Sequence, residues 1–387
     1  MKIAFVMGVF FPQPGGVQVQ IHNIANKLIE KKNHVDCFIY RKTNIKNNNY
    51  KVFIFNYFLT SFIFFFHYYL NINLNFLFKI YLKRIIKKKR YDLWHFNYIN
   101  YKSLILINCL KELNQKIIVT FHGADIQIHK DINYGARLNQ KYDKLLKRTI
   151  KNIDFFTSIS KNIYNDLFSL GISNKQIFSF PNCIEKLKFN KVPEITKPKD
   201  YLTFISVGRF AEKKKGFDLI KDVVKILNKK KIYFKWKIIG HGVNEILKYK
   251  EIKDNINKFD IIENIENTDE TYFPNTKLIK EYKSSDIYLN LSRVESFGIT
   301  FIESLASGTP IISFNTKGAN EIINSNHNGF IIKDFSLDDY VEKIEQIKND
   351  RSILEKIKQN SKSSVEKYDL GYNTKLLNDF YSKIIKD

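Results

Sequence analysis

Short apolar runs alternate with helical patterns along most of the chain. In the first half, apolar runs predict strands at 3–6, 35–39, 93–96, 117–121, 155–159 and 177–180. Between the first two of these, Val17, Ile21, Ile24 and Leu28 recur at helical spacing and predict a helix that follows Gly15-Gly16. Alternation of this type predicts an α/β fold with a parallel, doubly wound sheet.

The same alternation begins again near residue 200. Strands are predicted at 202–207, 236–239, 287–291, 311–314 and 330–332, and helices at 217–227, 338–347 and 353–358. The intervening segment 186–199 is polar, contains prolines and has little periodicity, so it is predicted to be a linker. A chain of 387 residues is long enough for two domains, which we place at 1–185 and 200–364.

One segment departs from this alternation. Residues 53–82 are crowded with Phe, Tyr, Ile and Leu, and a basic tract at 79–90 follows. The apolar residues of 74–86 recur at helical spacing with most lysines on the other face, which is typical of a helix that lies on a bilayer. Two other interpretations stay open: the aromatic residues pack inside the first domain, or the segment spans a membrane, although its densest apolar run, 58–70, is short for a span.

The net charge and the cysteines indicate which partners and which cellular compartment to expect. The chain has 63 Lys and Arg against 39 Asp and Glu, a net charge of +24, so we expect phosphate-bearing substrates, an anionic membrane surface or nucleic acid as partners. The three cysteines, Cys37, Cys109 and Cys183, are scattered and suggest neither a disulfide frame nor a metal site. Because the first residues run directly into a strand, we expect no signal peptide and a cytoplasmic protein.

A pair of carboxylates marks the clearest candidate site. Glu295 and Glu303 have seven residues between them in Glu295-Ser-Phe-Gly-Ile-Thr-Phe-Ile-Glu303. They bracket a turn from the strand at 287–291 into a short helix that Gly298 opens, and helix N-termini attract phosphate. Glu303 can accept two hydroxyl hydrogen bonds from a ribose, and Glu295 lies within reach of the group that the phosphates carry. The spacing fits one nucleoside diphosphate-sugar.

This stretch resembles the signature of the retaining glycosyltransferase family 4, also called group 1. The resemblance covers most of the chain through motifs in matching order, at 14–17, 121–125, 158–160, 181–182, 207–210, 215–216, 239–242, 295–303 and 318–321. It implies the GT-B fold, in which two Rossmann-like domains face a cleft that holds the substrates. It also implies that the last segment, 365–387, crosses back to pack on the first domain.

The resemblance assigns expected roles to individual residues. Arg209 and Lys215 neutralise the leaving nucleoside diphosphate, His122 contacts the transferred sugar, and Asp125 helps to hold the acceptor. Glu295 holds sugar hydroxyls, and the remaining members of the substrate site are Gly15, Gly16, Ser296, Phe297, Gly298 and Glu303. The residues themselves leave alternatives open: a solvated loop for Lys213-Lys-Lys215, an ordinary turn for Gly15-Gly16, a structural histidine for His122 and solvated helix-edge acids for the carboxylate pair.

The expected activity is retaining transfer of a sugar from a nucleoside diphosphate-sugar to a glycan or a lipid-linked glycan, in the synthesis of a cell-surface polysaccharide or glycolipid. No Asp-x-Asp pair occurs in the sequence, so we expect no metal and no other cofactor. The alternatives are a nucleotide-sugar epimerase or hydrolase of the same fold and a non-catalytic protein that binds polyanions. The carboxylate pair disfavours nucleic acid as a partner.

Overall fold

The computed structural model describes residues 1–8, 15–40, 48–196, 200–263 and 270–386, which form two compact units. Unit 1 comprises Met1–Pro181 together with Gly371–Asp387, and unit 2 comprises Asn182–Leu370. Each unit has its own parallel sheet with helices packed around it. The predicted α/β class with two Rossmann-like domains is therefore confirmed.

In unit 1, the strands of the described residues form one parallel sheet in the order β3-β2-β1-β4-β5-β6-β7. Its strands are β1 (Lys2–Met7), β2 (His34–Ile39), β3 (Lys51–Ile54), β4 (Leu93–Asn97), β5 (Ile117–Phe121), β6 (Phe155–Ser158) and β7 (Ile177–Ser179). Its helices are α1 (Gly16–Glu30), α2 (Tyr57–Tyr69), α3 (Asn75–Lys89), α4 (Tyr101–Lys111), α5 (Gln140–Thr149) and α6 (Lys161–Ser169). The order reverses between β1 and β4, which makes this point the topological switch of the sheet.

In unit 2, the parallel sheet of the described residues has the order β10-β9-β8-β11-β12-β13. Its strands are β8 (Leu202–Val207), β9 (Phe234–Ile239), β10 (Phe259–Ile262), β11 (Ile287–Asn290), β12 (Ile311–Phe314) and β13 (Gly329–Ile332). Its helices are α7 (Lys186–Lys191), α8 (Glu212–Lys215), α9 (Ile220–Lys229), α10 (Lys250–Lys253), α11 (Thr276–Lys283), α12 (Ile299–Ala306), α13 (Lys317–Ile322), α14 (Leu337–Asn349) and α15 (Ser352–Ser361). Here the switch lies between β8 and β11.

The last helix, α16 (Leu370–Lys386), packs on unit 1. The hydroxyl of Tyr381 hydrogen-bonds to Nδ1 of His95 on β4, and Nε2 of the same ring lies 2.6 Å from Oγ1 of Thr120 on β5. All three side chains are buried, so this network fixes α16 on the sheet with its polar groups satisfied. The sequence placed the start of this returning segment at residue 365, but residues as far as Leu370 belong to unit 2.

The predicted linker at 186–199 is partly helical. Helix α7 occupies its first half and belongs to unit 2, where Nζ of Lys188 donates a hydrogen bond of 2.7 Å to the carbonyl of Pro274. Phe189 on the same helix is buried. The sequence did not predict α7, because a helix of one or two turns buries too few residues to produce a periodic pattern. Residues 197–199 of the predicted linker lie outside the described residues.

The aromatic segment forms the helical pair α2 and α3, which packs beside α4. Its apolar side chains are mostly half-buried or exposed, and on the two helices only Thr60 and Ile63 on α2 and Phe78 and Leu82 on α3 are buried. The interpretation that these aromatic residues pack inside the first domain therefore holds fully for only a few of them. Among the helices of the described ranges, none has both the length and the apolar character needed to cross a bilayer.

Candidate functional site

The carboxyl ends of β8 and β11 meet at the switch point of the unit 2 sheet, where open α/β sheets bind their ligands. Arg209 follows β8, and the segment that carries Glu295 follows β11. Four of the predicted site residues, Arg209, Lys215, Glu295 and Glu303, thus belong to unit 2 and to the elements that follow these two strands.

Arg209 stands on a backbone loop that is fixed on both sides. Its neighbours Gly208 and Phe210 donate N–H hydrogen bonds of 2.9 and 2.8 Å to the carbonyls of Ile239 and His241, in and beyond β9. Gly240 makes this approach possible, because a Cβ there would lie 2.0 Å from the carbonyl oxygen of Gly208. The Arg209 side chain is exposed and has no hydrogen bond or ion pair with any residue in the described part of the chain. A fixed backbone therefore presents an uncommitted guanidinium at the switch point.

Lys215 ends α8, a single helical turn that is held against the segment after β11. Gly216 adopts a left-handed conformation with φ of 68°, and a Cβ there would lie 1.9 Å from the carbonyl oxygen of Leu291. Arg293 completes the connection, since its backbone N–H donates to the Lys214 carbonyl at 2.9 Å and its guanidinium donates twice to Asp218, at 2.7 and 2.8 Å. The sequence therefore places Lys215 beside the strand end by close backbone contact.

Lys215 and Glu295 form an ion pair. Nζ of Lys215 lies 2.5 Å from Oε1 of Glu295, and the Ser292 hydroxyl donates to the same oxygen at 2.9 Å. The Glu295 side chain is only 6% exposed, whereas Lys215 is 22% exposed. Burial alone would raise the pKa of Glu295, but the charges of Lys215 and Lys214 and the two hydrogen bonds outweigh it and lower that pKa. Glu295 is therefore a buried carboxylate that is ionised at neutral pH.

Gly298 turns the chain from Glu295 into α12, as predicted. It has a left-handed φ of 91°, and α12 begins at the next residue, so the free N–H groups of its first turn lie directly after the turn. Gly318 holds the preceding segment in place. Its N–H donates to the Glu295 carbonyl at 3.0 Å, and a Cβ there would lie 2.8 Å from the Phe297 carbonyl oxygen. Ser296 and Phe297 are buried, and their contact with the substrate stays a prediction.

Glu303 lies inside α12 and is 5% exposed. The hydroxyl of Tyr282, which is itself fully buried, donates to its Oε2 at 3.0 Å. Burial raises the pKa of Glu303 to about 7, and the hydrogen bond from Tyr282 opposes this only in part. The two carboxylates of the motif thus differ in charge near neutral pH, because a lysine neutralises one and none pairs with the other.

In unit 1, His122 and Asp125 follow β5. Oδ1 of Asp125 accepts backbone N–H hydrogen bonds from His122 and Gly123, both at 2.9 Å, and Oδ2 accepts one from Ile99 at 3.3 Å. Burial raises the pKa of Asp125 to about 7, against these hydrogen bonds. Both carboxylate oxygens therefore accept hydrogen bonds that shape the loop, and the contact of Asp125 with the acceptor stays a prediction.

The ring of His122 is buried, and neither of its nitrogens has a hydrogen-bond partner within the described ranges. Burial lowers its pKa to about 3, so the ring is neutral at physiological pH. A buried imidazole without partners is costly, and a bound hydroxyl group would satisfy it. This observation favours the functional interpretation of His122 over that of a structural histidine, which would be hydrogen-bonded like His95.

Gly15 and Gly16 lie where β1 gives way to α1. Neither adopts a left-handed conformation: Gly15 is extended, with φ of 167°, and Gly16 is the first residue of α1. A Cβ at Gly15 would meet only the side chain of Gln18. Close approach to a ligand thus stays a prediction for these two glycines, and Pro14 before them lies outside the described residues.

The structure brings together Lys215 with Glu295 in unit 2 and His122 with Asp125 in unit 1. Sequence reasoning missed two supporting residues. Ser292, which donates to Glu295, lies only three positions before it, and this short spacing could have suggested the contact. Tyr282, which donates to Glu303, lies 21 positions away, and no local pattern connects the two residues.

Two family models match the chain one after the other. The model for Glycosyltransferase Family 4 matches residues 14–186, and that for Glycosyl transferases group 1 matches residues 188–364. The chain belongs to this glycosyltransferase family. The enzyme class that the motifs predicted is thereby confirmed.

Two relatives and one solved structure agree with this assignment. An uncharacterised glycosyltransferase of Methanocaldococcus jannaschii is 24% identical over 95% of this chain and 94% of its own length. A putative colanic acid biosynthesis glycosyltransferase of Escherichia coli is 23% identical over 56% of this chain and 51% of its own length. The crystal structure of the Anabaena protein HepE in complex with UDP-glucose has a TM-score of 0.72 at 15% identity, over 99% of this chain and all of that one, and it confirms the GT-B fold.

Proposed function

We propose that this glycosyltransferase moves a sugar, with retention of configuration, from a nucleoside diphosphate-sugar to a glycan or lipid-linked glycan. The observation that carries the proposal is the pair of Lys215 and Glu295 at the unit 2 switch point, where Arg209 also stands. Two cations suit a diphosphate, and a buried ionised carboxylate suits sugar hydroxyls. The complex of HepE with UDP-glucose supports a nucleotide-sugar donor, and the colanic acid relative supports an acceptor in cell-surface polysaccharide synthesis.

In the proposed reaction, a hydroxyl oxygen of the acceptor attacks the anomeric carbon on the face that the diphosphate leaves. The bond from that carbon to the phosphate oxygen breaks, and the hydroxyl proton passes to a phosphate oxygen, so the products are the extended glycan and the nucleoside diphosphate. Arg209 and Lys215 stabilise the negative charge that grows on the leaving group. Glu295 orients the sugar, His122 satisfies its buried ring through a sugar hydroxyl, and Glu303 accepts hydrogen bonds from the ribose.

We also propose that the reaction needs no metal ion, because two protein cations are available to the leaving group. The enzyme is expected to work in the cytoplasm, at the inner face of the membrane. Its three cysteines are buried and form no disulfide within the described residues, which is usual for proteins of a reducing compartment.

A panel of UDP-, GDP- and ADP-sugars tests the proposal. The correct donor, at about a hundred times its Kd, should stabilise unit 2 by about 2.7 kcal/mol and raise its melting temperature by about 5–10 °C. With acceptor present, the same donor should yield a glycosylated product whose anomeric proton shows retention by NMR, and EDTA treatment should leave the rate unchanged. Donor turnover without any acceptor would favour an epimerase or hydrolase instead, and no response to any sugar nucleotide would contradict the proposal.

Donor binding should depend on pH through Glu303. Because the ribose hydroxyls bind best to the ionised carboxylate, and burial raises the pKa of Glu303 to about 7, binding removes its proton. Donor affinity should therefore rise about tenfold between pH 6 and pH 8 and level off above that. Isothermal titration with the intact sugar nucleotide measures this, since its diphosphate does not titrate in this range.

Glu303→Gln is the matched control, because glutamine can still accept the hydrogen bond from Tyr282 but has no proton to lose. Its donor affinity should be lower and independent of pH. The ligand-free parent should also lose stability relative to this variant as pH rises through 7, since a carboxyl with a raised folded-state pKa stabilises the fold only while protonated. If donor affinity depended on pH in the same way in parent and variant, the assignment of Glu303 to the donor site would be wrong.

A further inference from the structure

Exposed aromatic side chains are concentrated on one helical pair of unit 1. Of the 19 exposed large hydrophobic residues in the described part of the chain, 10 lie within residues 54–80. On α2, four of the five exposed hydrophobic residues recur at intervals of four, three and four and so share one face of the helix. Together with two exposed residues of α3, the helix that packs on α2, these four make up what we call the aromatic face: Phe58, Phe62, Phe65, Tyr69, Phe76 and Ile80.

The aromatic face is unusually open. Phe58 is 84% exposed, and the other five residues are 47–59% exposed. Soluble monomers rarely leave a contiguous apolar patch of this type uncovered unless it binds something. Such a surface indicates a binding site for an apolar partner.

The opposite side of α2 is firmly packed, so the exposure does not come from a detached helix. Ile63 is buried, and Nδ1 of His67 lies 2.9 Å from the Tyr101 hydroxyl of α4. The Tyr68 hydroxyl accepts a 2.7 Å hydrogen bond from Asn139, and Ser61 accepts one of 3.0 Å from Lys102. The contacts of one face hold α2 in a fixed orientation and leave the other face outward.

The sequence segment that carries the aromatic face contains basic residues and no acidic ones. No Asp or Glu occurs between Asp36 and Asp92, whereas eleven Lys and Arg do. Two of these cations are neutralised from outside the segment, Lys79 by Glu112 at 2.6 Å and Lys89 by Asp36 at 3.8 Å. The next positions of α3 form what we call the basic strip, which is exposed and has no ion pair with any described residue: Lys83, Arg84, Lys87 and Lys88.

We propose that the aromatic face inserts into the interfacial layer of an anionic bilayer while the basic strip contacts the lipid headgroups. On α3, Phe76 and Ile80 are followed at helical spacing by Lys83, Arg84 and Lys87, so apolar and basic positions share one side of the helix. Aromatic side chains that enter the interface and cations that reach the anionic headgroups can therefore contact one membrane surface together. A second copy of the chain is a poor occupant, because it would bring two acid-free, basic segments together.

The proposal places the enzyme at a membrane surface. It rests on the proposed function only in linking this location to sugar transfer. Binding to vesicles without donor or acceptor tests it separately from sugar transfer. The parent protein should co-sediment with vesicles of equal parts phosphatidylcholine and phosphatidylglycerol, and not with phosphatidylcholine alone. Salt at about 1 M should release it, since the Debye length then falls to about 3 Å. Failure to bind the anionic vesicles at low salt would overturn the proposal.

The charge variant carries Gln at Lys83, Arg84, Lys87 and Lys88. Since each cation near an anionic surface contributes about a fivefold gain in partition, its vesicle affinity should fall by about two to three orders of magnitude. The matched control removes the same charge from exposed, unpaired positions on helices of unit 2, with Gln at Lys229, Lys253, Lys348 and Lys356. An equal loss in both variants would show only that net charge matters, and would overturn a localised site.

The aromatic variant carries Ser at Phe58, Phe62 and Phe65. Its affinity for anionic vesicles should fall by at least about tenfold, because apolar area no longer leaves water, while its melting temperature should not fall. The control carries Ser at three exposed apolar positions elsewhere, Phe168, Tyr233 and Ile256. Unaltered binding by the aromatic variant would overturn insertion of this face.

Depth of insertion can be measured directly. The three native cysteines are buried, so the cysteine of a Phe62→Cys variant can be labelled selectively with an environment-sensitive fluorophore. Brominated phospholipid should quench this label and leave the same label in Phe168→Cys unquenched. Sedimentation velocity without lipid should show a monomer, and a dimer that the aromatic variant abolishes would overturn the proposal in favour of self-association.

Discussion

Lys215→Ala is expected to lower kcat by about a hundredfold to a thousandfold and to destabilise unit 2 by about 3 kcal/mol. The loss of turnover has one cause, since the leaving diphosphate loses a cation when its charge grows. The loss of stability has another: Glu295 is 6% exposed and its Oε1 lies 2.5 Å from Nζ of Lys215, so the variant leaves a buried carboxylate without its cation. Steady-state kinetics and thermal or urea unfolding measure the two effects.

Glu295→Gln separates these two effects. Turnover should fall by about tenfold to two hundredfold, because a charge-assisted hydrogen bond to the sugar is worth about 1.5–3 kcal/mol. Stability should fall less than in Lys215→Ala, since Lys215 is 22% exposed and can be hydrated. The double variant should recover much of the stability that Lys215→Ala loses. Strictly additive losses would show that the pair does not act as a unit.

The stability that Glu295 contributes should also depend on pH. Its folded-state pKa is lowered, because the cations and hydrogen bonds outweigh its burial, so the contribution is present above the unfolded carboxyl pKa of about 4.3 and is lost as pH falls through the folded-state value. The difference in unfolding free energy between parent and Glu295→Gln should thus disappear in acid.

Lys230→Ala is a matched control for Lys215→Ala. Lys230 makes an ion pair of the same 2.5 Å length with Glu345, but both side chains are about one-third exposed. This substitution should cause little loss of stability, because an exposed ion pair is screened by solvent, and it should leave turnover unchanged.

Much of the fold could be predicted from sequence because the central strands are continuous apolar runs. β5 and β12, buried at every position, were predicted to the residue. The two missed strands, β3 and β10, lie at the edges of their sheets. β3, Lys51-Val-Phe-Ile54, has exposed ends, and β10 contains the exposed Asp260, so neither forms the continuous apolar run that marks a buried parallel strand.

The aromatic segment shows what composition cannot decide. Its helix α3 was predicted from periodicity, but α2 is apolar on both faces, so no hydrophobic pattern shows which face packs. The contacts with Tyr101 and Asn139 decide the matter, and these residues lie 30 or more positions further along the chain. Core and surface were therefore indistinguishable before the tertiary structure was known.

The site shows the same limit. The motif around Glu295 and Glu303 indicated which residues matter, but their charges near neutral pH depend on partners that are remote in sequence. Lys215 reaches Glu295 because Gly216 packs on the Leu291 backbone, and Tyr282 reaches Glu303 from another helix. A spacing pattern predicts residue types at a turn, whereas the electrostatics require the packing of several turns together.

Arg209→Ala should lower kcat by about a hundredfold to a thousandfold without destabilising the protein. The guanidinium is exposed and has no hydrogen bond or ion pair among the described residues, so its removal should change stability by no more than about 0.5 kcal/mol. Its loop keeps its shape, since the hydrogen bonds of Gly208 and Phe210 use only backbone atoms. The transition state alone loses a forked cation at the diphosphate, so kcat should fall much more than donor affinity.

Two further variants test whether the effect of Arg209→Ala is specific: Arg209→Lys, which keeps the charge, and Arg148→Ala, which removes another exposed arginine. Lysine keeps the charge but not the planar fork, so Arg209→Lys should recover only part of the lost turnover. Arg148 on α5 is likewise exposed and unpaired in the described part of the chain, and its removal should change neither kcat nor melting temperature. If Arg209→Ala instead raised the donor Kd and left kcat at the parent value, Arg209 would serve ground-state binding, and the stabilisation of the leaving group would rest on Lys215 alone.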